Sequence, residues 1–153
     1  MSGPRQRLDL TGPWKAGYGA MSKFSQTVAG SGLDPSLQEL VRVRASQMNG
    51  CAYCIDMHTK DARHRGEDEQ RLYALSAWRE TPFFSDAERA ALALTEAVTL
   101  VTDEILDEVV DEARKYFDEA ALAQLVYTIV VINAWNRIAV TARLEVGGYH
   151  PSD

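Results

Sequence analysis

Three side chains in one short stretch, NGCAYCIDMH, can do chemistry together. Cys51 and Cys54 are three residues apart, and His58 follows four residues after Cys54. Residues three and four apart share one face of an α-helix, with Cβ atoms roughly 5–6 Å apart. The spacing therefore predicts a dithiol with an imidazole beside it. Such a group suits a redox pair, part of a metal site, or two small buried residues next to a core histidine.

The position of the pair at a helix start favours a reactive dithiol. Asn49-Gly50 ends the preceding helical pattern, so Cys51 falls at the beginning of a new helix. The partial positive charge of a helix N-terminus stabilises a thiolate and lowers a cysteine pKa from its free value of about 8.5. His58, a turn further on, can accept a proton or stabilise the thiolate by its charge. Redox chemistry is therefore the leading interpretation.

Two other interpretations of the same residues stay open. In a zinc site the two cysteines and His58 would be three ligands, and the fourth would be Asp56, Glu39 or His64. Structural zinc sites usually show a second ligand pair elsewhere in the sequence, and this chain has no other cysteine. Alternatively, the cysteines are small buried residues and the histidine is a hydrogen-bonded core residue.

Glu39 is the next candidate for the site. Along one continuous helix it would lie about 18 Å from Cys51, at 1.5 Å per residue. If the chain folds back at Asn49-Gly50 into a helical hairpin, Glu39 comes within about one turn of His58. A carboxylate there would fix the imidazole tautomer and raise its basicity. The alternative is a capping role, because SLQE, Ser36 to Glu39, is itself a capping-box sequence.

The elements that must position these residues are predicted to be helices. Asp34 and Pro35 mark the start of the helix that ends at Asn49-Gly50, and Ser85 with Glu88 forms a capping box ahead of another. Further helices are predicted in AMSKFSQTVAGSG, from Cys51 to about Arg65, in EDEQRLYALSAWRE, in DEILDEVVDEARKYF and from Asp118 to about Glu145. The last is apolar most of the way round, as in a helix enclosed by a bundle. The prediction is one all-α domain, residues 1–153, of about six or seven helices.

Composition limits the classes of partner and compartment. The chain has 16 basic and 22 acidic residues, a net charge of -6. Nucleic acids and anionic membrane surfaces both call for a basic face, so neither is expected as a partner. No apolar signal segment is visible at the N-terminus, and no apolar run reaches the roughly 20 residues of a membrane span. A cytoplasmic protein is expected, and a structural disulfide would not persist in that reducing compartment. The GGYHPSD tail, with His150, is expected to be disordered or to contact another subunit.

The chain resembles a known family over most of its length, from about residue 33 onward. The strings ELVRVRASQMNGCAYCIDMHTKDARHRGEDEQRL and WRETPFFSDAERAALALTEAVT, with the later INAWNR, resemble alkylhydroperoxidase D-like (AhpD-like) members of the carboxymuconolactone decarboxylase superfamily. The resemblance implies an all-helical bundle that assembles as a homotrimer or homohexamer, with the Cys-x-x-Cys at the N-terminus of a helix.

The resemblance also implies roles for the candidate residues. Cys54 would be the peroxidatic cysteine, Cys51 the resolving thiol and proton donor, and His58 and Glu39 members of a proton relay. The substrates would be a hydroperoxide and an external dithiol such as a dihydrolipoyl group, and no haem or metal would be needed. In the characterised peroxidase a histidine stands between the cysteines, where this chain has Tyr53.

Tyrosine can donate a hydrogen bond but is a poor base at neutral pH. Tyr53, Asn133 and Trp135 are candidate pocket residues, with Asn136 beside them.

Two alternatives to a peroxidase are a carboxymuconolactone decarboxylase-like lyase acting on a small acid and a non-catalytic redox-sensing oligomer. The decarboxylase branch lacks the cysteine pair, which favours the peroxidase.

Overall fold

The computed structural model describes residues 5–102 and 104–152. All regular secondary structure in this part of the chain is helical. It contains seven α-helices and one 3-10 helix, and no strand occurs in these two ranges. The prediction of an all-α fold is confirmed. The α-helices are α1 (Lys15–Ala29), α2 (Pro35–Met48), α3 (Ala52–His64), α4 (Glu69–Ala74), α5 (Asp86–Thr99), α6 (Asp107–Arg114) and α7 (Glu119–Ala142), and the 3-10 helix is Leu75–Glu80.

Helices α2 and α3 form the hairpin that carries the candidate site. The side chain of Asp34 accepts the Leu37 N–H at 2.9 Å at the start of α2, and Pro35 occupies the first turn. The helix ends at Asn49, and Gly50 follows with φ +63, in the left-handed region that glycine adopts at little cost. The chain therefore reverses at this point, and α3 packs back against α2.

The core is built around α2, which packs against α3, α5 and α7. Leu40, Val41 and Val43 of α2 are fully buried, as are Leu92 of α5 and Ile129 of α7. Burying a side chain of this size contributes about 1.5–3 kcal/mol relative to exposure. Because α2 carries both Glu39 and the turn before Cys51, the best-packed helix of the fold is also the one that positions the site.

Two predicted helices are shorter or less regular than their sequence patterns indicate. The segment EDEQRLYALSAWRE forms α4 and then a 3-10 helix, with a non-helical backbone at Ala77 (φ -120, ψ 31). This change of winding leaves both Leu75 and Trp78 buried, which explains why their helical spacing looked continuous. Helix α6 begins at Asp107; Asp103, near the start of the predicted helix, lies outside the described residues.

The last helix, predicted to be apolar most of the way round and buried in the middle of a bundle, is only partly buried in the single chain. Leu125 and Ile132 of α7 are buried, but Tyr127 is 56% exposed and Val130 and Val140 are also exposed. Within the described residues, α7 is the helix long and apolar enough to cross a membrane by length and composition, a test that core helices of water-soluble proteins also pass. The helix ends at Ala142, three residues before the predicted end, because Arg143 adopts a left-handed conformation.

Candidate active site

The two cysteines lie at the N-terminus of α3, directly after the turn at Gly50. Cys51 is the N-cap, and its Sγ accepts the backbone N–H of Cys54 at 3.4 Å. The Cys51 N–H donates to the carbonyl of Ser46 at 3.0 Å, which anchors the turn to α2. Both thiols are free and buried, and their sulfurs are 2.7 Å apart. This contact allows the pair to share one proton.

The surroundings of the pair favour one thiolate and oppose a second. The hydrogen bond from the Cys54 thiol lowers the pKa of Cys51 against the effect of burial, and with the smaller effects of the Cys54 N–H and the Asn136 side chain the pKa falls to about 7. That same hydrogen bond, burial and the negative charge on Cys51 raise the pKa of Cys54 well above its usual range. In this geometry the first negative charge therefore rests on Cys51, and a thiolate on Cys54 requires its proton to move to Cys51.

An amide network holds the turn and the cysteine pair against α7. The Asn49 side chain donates to Oδ1 of Asn133 and to Oδ1 of Asn136, each at 2.9 Å. The Asn136 amide in turn donates to Ser46 Oγ at 3.0 Å, and both of these residues are fully buried. Asn133 also donates to Thr99 Oγ1 at 3.0 Å. Asn136 is thus the amide that faces the sulfurs, whereas Asn133 connects the network to Thr99.

Glu39 and His58 form a buried pair across the helical hairpin. His58 Nδ1 is 2.8 Å from Glu39 Oε2, and the other carboxylate oxygen accepts from Arg42 at 2.7 Å. Burial alone would raise the pKa of Glu39, but the hydrogen bond and charge of His58, together with Arg42, outweigh it and lower the pKa. An ionised carboxylate only accepts hydrogen bonds, so Nδ1 carries the proton. Nε2 is then the nitrogen that can exchange a proton with a bound molecule.

A second carboxylate, Asp61, lies on the other side of the histidine. Its Oδ2 is 4.0 Å from His58 Nδ1, and its Oδ1 accepts the hydroxyl of Tyr149 at 2.6 Å. Burial and then this hydrogen bond raise the pKa of Tyr149 to about 12. The tail before His150 is therefore attached to α3 of its own chain rather than disordered. The contact joins residues 88 apart in sequence, and no sequence pattern indicated it.

The zinc interpretation finds a different set of ligands from the one predicted. In the described part of the chain, the group of acidic, histidine or cysteine ligand atoms within 4.8 Å of one another consists of Glu39, His58 and Asp61, without either sulfur. Asp56 instead pairs with Lys60 at 2.9 Å. The guanidinium of Arg42 already compensates the charge of Glu39 in this group. The geometry thus favours a hydrogen-bonded relay over a cysteine-ligated metal.

A cavity of about 640 Å³ opens onto Cys54 and His58. Cys54 lines it, while Cys51, which is 0% exposed, lies behind. Tyr53 and Trp135 line the cavity, as their candidacy as pocket residues suggested, but Asn133 is not among the lining residues. Sequence reasoning missed several others, of which Arg42 was detectable from its i,i+3 spacing to Glu39. Those missed include Tyr18, Arg42, Met57 and Ile138.

The sequence model of the carboxymuconolactone decarboxylase family matches residues 16–97, which include α2, the cysteine pair and most of α5. The chain belongs to this family. YdfG of Bacillus subtilis, an uncharacterized protein, is 46% identical over 121 residues, covering 78% of this chain and 80% of YdfG. The resemblance to this family inferred from the cysteine motif is therefore confirmed.

Solved structures place this family member among AhpD-like folds. A protein of unknown function from Agrobacterium tumefaciens, for which the role of antioxidant defence protein AhpD has been suggested, is 34% identical with a TM-score of 0.89. The match covers 97% of this chain and 100% of that one. The debrominase Bmp8 in complex with 2,3,4-tribromopyrrole shares the fold alone, at 21% identity and a TM-score of 0.76, over 84% of this chain and 70% of its own.

Proposed function

We propose that the chain is a thiol-dependent peroxidase that reduces a hydroperoxide with the Cys51–Cys54 pair. The observation that carries the proposal is the contact of the two sulfurs at 2.7 Å, with Cys54 facing the cavity and the Glu39–His58 pair on the same side. A peroxidase of this kind needs an accessible sulfur, a second thiol in contact with it and a group that moves protons. The position of Cys54 and His58 on the cavity and the contact of the two sulfurs support the proposal on each of these points.

In the first step Cys54 attacks the peroxide. Its proton passes to the Cys51 thiolate across the sulfur contact, and the Cys54 sulfur bonds to the terminal peroxide oxygen. The O–O bond breaks, and the departing alkoxide takes from His58 Nε2 the proton that this nitrogen accepted when Cys51 became a thiolate. Cys54 becomes a sulfenic acid and the peroxide becomes an alcohol. Glu39 holds the Nδ1–H of the histidine at 2.8 Å, which fixes the ring for this transfer.

In the second step Cys51 resolves the sulfenic acid. The Cys51 sulfur bonds to the Cys54 sulfur, the S–O bond breaks, and the hydroxyl leaves as water with the proton that Cys51 had received. Two cysteines three residues apart at a helix N-terminus have a Cα–Cα separation within the range that a disulfide tolerates. The sum of the two steps is one dithiol and one hydroperoxide giving one disulfide, one alcohol and one water.

An external dithiol returns the pair to its starting state. Its thiolate attacks the disulfide, and a second exchange releases the reduced cysteines and oxidises the donor. A flexible donor such as a dihydrolipoyl group would enter through the cavity, since Cys54 is the sulfur that lines it. A cytoplasmic location would provide such donors and keep the pair reduced. The redox steps of this proposal take place on sulfur and call for neither haem nor metal.

Tyr53 has a supporting role in this proposal. It lines the cavity beside Cys54, and burial, together with the charges of Cys54 and other neighbours, raises its pKa. A protonated phenol can donate a hydrogen bond to the departing oxygen but cannot serve as a base at neutral pH. The proton relay therefore runs through His58, with Tyr53 as a donor to the bound peroxide.

A homotrimer or homohexamer is the assembly that fits the proposal. Helix α7 leaves Tyr127, Val130 and Val140 exposed, and Trp14 before α1 is 72% exposed. Exposed apolar residues in this number suggest a surface that another copy of the chain covers. Light scattering on the purified protein tests the assembly, and a monomer at micromolar concentration would contradict it.

Peroxide consumption in the presence of an added dithiol tests the activity. The parent chain should turn over repeatedly, and Cys54→Ser should lose the reaction. Cys51→Ser, its matched control in the same motif, should consume a single equivalent of peroxide when no dithiol is added and accumulate a sulfenic acid that a cyclic diketone traps. If Cys54→Ser consumed peroxide as fast as the parent chain, the assignment would be wrong. A chain that oxidises once and is not reduced by dithiols would be a redox sensor instead.

A further inference from the structure

The C-terminal segment returns to the candidate active site after α7. Arg143 turns the chain with φ 55, and Leu144 then packs against the cluster that contains the two cysteines. Lys60 of α3 donates to the carbonyl of Tyr149 at 3.1 Å, and the Tyr149 hydroxyl donates to Asp61 at 2.6 Å. Two contacts thus fix Tyr149 on the helix that carries His58, one at its main chain and one at its hydroxyl.

The hydroxyl of Tyr149 binds Oδ1 of Asp61 and so fixes the orientation of a carboxylate whose other oxygen would otherwise compete for His58. Only one proton sits on Nδ1, and two carboxylates lie near it, Glu39 at 2.8 Å and Asp61 at 4.0 Å. Asp61 is three residues after His58 on the same helix face, so a side-chain rotation can bring its oxygen into hydrogen-bond range. A hydrogen bond from a hydroxyl to an ionised carboxylate is short and strong, and 2.6 Å is its usual length.

We infer that Tyr149 is a positioning residue of this site, which holds Asp61 away from His58 so that Nδ1 stays directed at Glu39. Glu39 is itself fixed by Arg42 at 2.7 Å, so the imidazole plane is set by α2 as long as Asp61 is occupied. Without the hydroxyl, Asp61 is free to take the Nδ1–H and the ring turns away from the cavity. The consequence for turnover rests on the peroxidase proposal, whereas the orientation of the ring does not.

The variant Tyr149→Phe removes the hydroxyl and keeps the ring. It should lower kcat/KM for the peroxide by about tenfold, which is less than the roughly hundredfold that a 1 Å misplacement of a reacting group can cost. Replacing Asp61 by Asn in the same chain should restore most of the loss, because an amide competes less well than a carboxylate for the Nδ1–H. A merely structural role of Tyr149 would not be rescued by a change at Asp61.

Tyr73→Phe is the matched control. The Tyr73 hydroxyl donates to Glu69 at 3.2 Å, which is the same kind of hydrogen bond, on an exposed residue that does not line the cavity. Its loss should leave peroxide turnover at the parent rate.

The decisive measurement is the proton resonance of His58 Nδ1–H, assigned by its loss in His58→Gln. Its chemical shift should change in Tyr149→Phe, return in the Tyr149→Phe, Asp61→Asn double variant and stay fixed in Tyr73→Phe. An unchanged resonance in Tyr149→Phe overturns the inference, whatever the peroxide assay gives. A shifted resonance in a chain without peroxidase activity would support the positioning role and overturn the proposed function. The two proposals therefore fail separately.

Discussion

Replacing Glu39 by Gln tests whether the buried carboxylate orients the relay. The side chain keeps its size but loses its negative charge. In the parent chain one carboxylate oxygen lies 2.8 Å from Nδ1 of His58, and the other lies 2.7 Å from the guanidinium of Arg42. A glutamine can accept from one of these donors only, and its NH₂ group then faces the other. With the amide oxygen on Arg42, the NH₂ group calls for an acceptor at Nδ1 and moves the histidine proton to Nε2.

The size of the effect follows from these two contacts. A hydrogen bond to a charged group contributes about 1.5–3 kcal/mol. Arg42 keeps its second partner, Gln38 at 2.7 Å, so the free energy of unfolding should fall by about 2 kcal/mol rather than by the larger cost of an isolated buried charge. For a chain of this length that corresponds to a loss of about 4–8 °C in Tm. The peroxide rate should fall roughly hundredfold, at the lower end for loss of general acid–base catalysis.

Glu96→Gln is the control that separates rate from stability. Oε1 of Glu96 accepts from Arg44 and from the Trp78 indole, each at 2.8 Å, and these and its other partners lower its pKa against the effect of burial. Glu96 does not line the cavity. Both variants should lose similar stability, and only Glu39→Gln should lose rate. Equal rates for the two variants would refute the reasoning.

The pH dependence of stability gives a second readout on Glu39. Because the pKa of Glu39 is lowered in the folded chain, its stabilisation is fully present above the unfolded carboxyl pKa of about 4.3. It is lost as the pH falls through the lower, folded pKa. The difference in unfolding free energy between the parent chain and Glu39→Gln should therefore be constant near neutrality and shrink in acid. A difference that grew in acid would contradict the assigned direction.

Two further predictions concern the turn and the dithiol. Titration of the reduced parent chain by thiolate absorbance should show one thiolate forming with a midpoint near pH 7, from Cys51, and no second one until strongly alkaline pH. A first midpoint near the free value of about 8.5 would contradict it. Gly50→Ala should lower the free energy of unfolding by about 1–2 kcal/mol, because φ is +63 while the added Cβ meets nothing within 4 Å. Gly19→Ala, inside α1 and also in open space, should instead raise it, as measured by denaturant unfolding.

The sequence alone was sufficient for the features that depend on local chemistry. The Asp34-Pro35 start of α2, the capping box at Ser85 and the chain reversal at Gly50 all follow from short-range rules, and the structure contains each of them. The same rules put Cys51 and Cys54 at a helix N-terminus. A chain reversal at a known residue also fixes which positions face each other across two helices, so Glu39 was expected beside His58.

Other features needed the tertiary structure because they depend on residues distant in sequence or on the balance of several neighbours. The partner of Asp61 is Tyr149, 88 residues away, and no pattern in a tail of glycine and polar residues indicates where it will lie. The sulfur that holds the first negative charge depends on the Asn136 amide and on the contact between the two thiols, not on spacing alone. Helix α7 was expected to be buried because its own apolar residues lie on most sides of the helix. A single chain, however, has too few helices to cover every side. Spacing determined which groups meet, and packing determined which of them carries the charge and which of them faces the cavity.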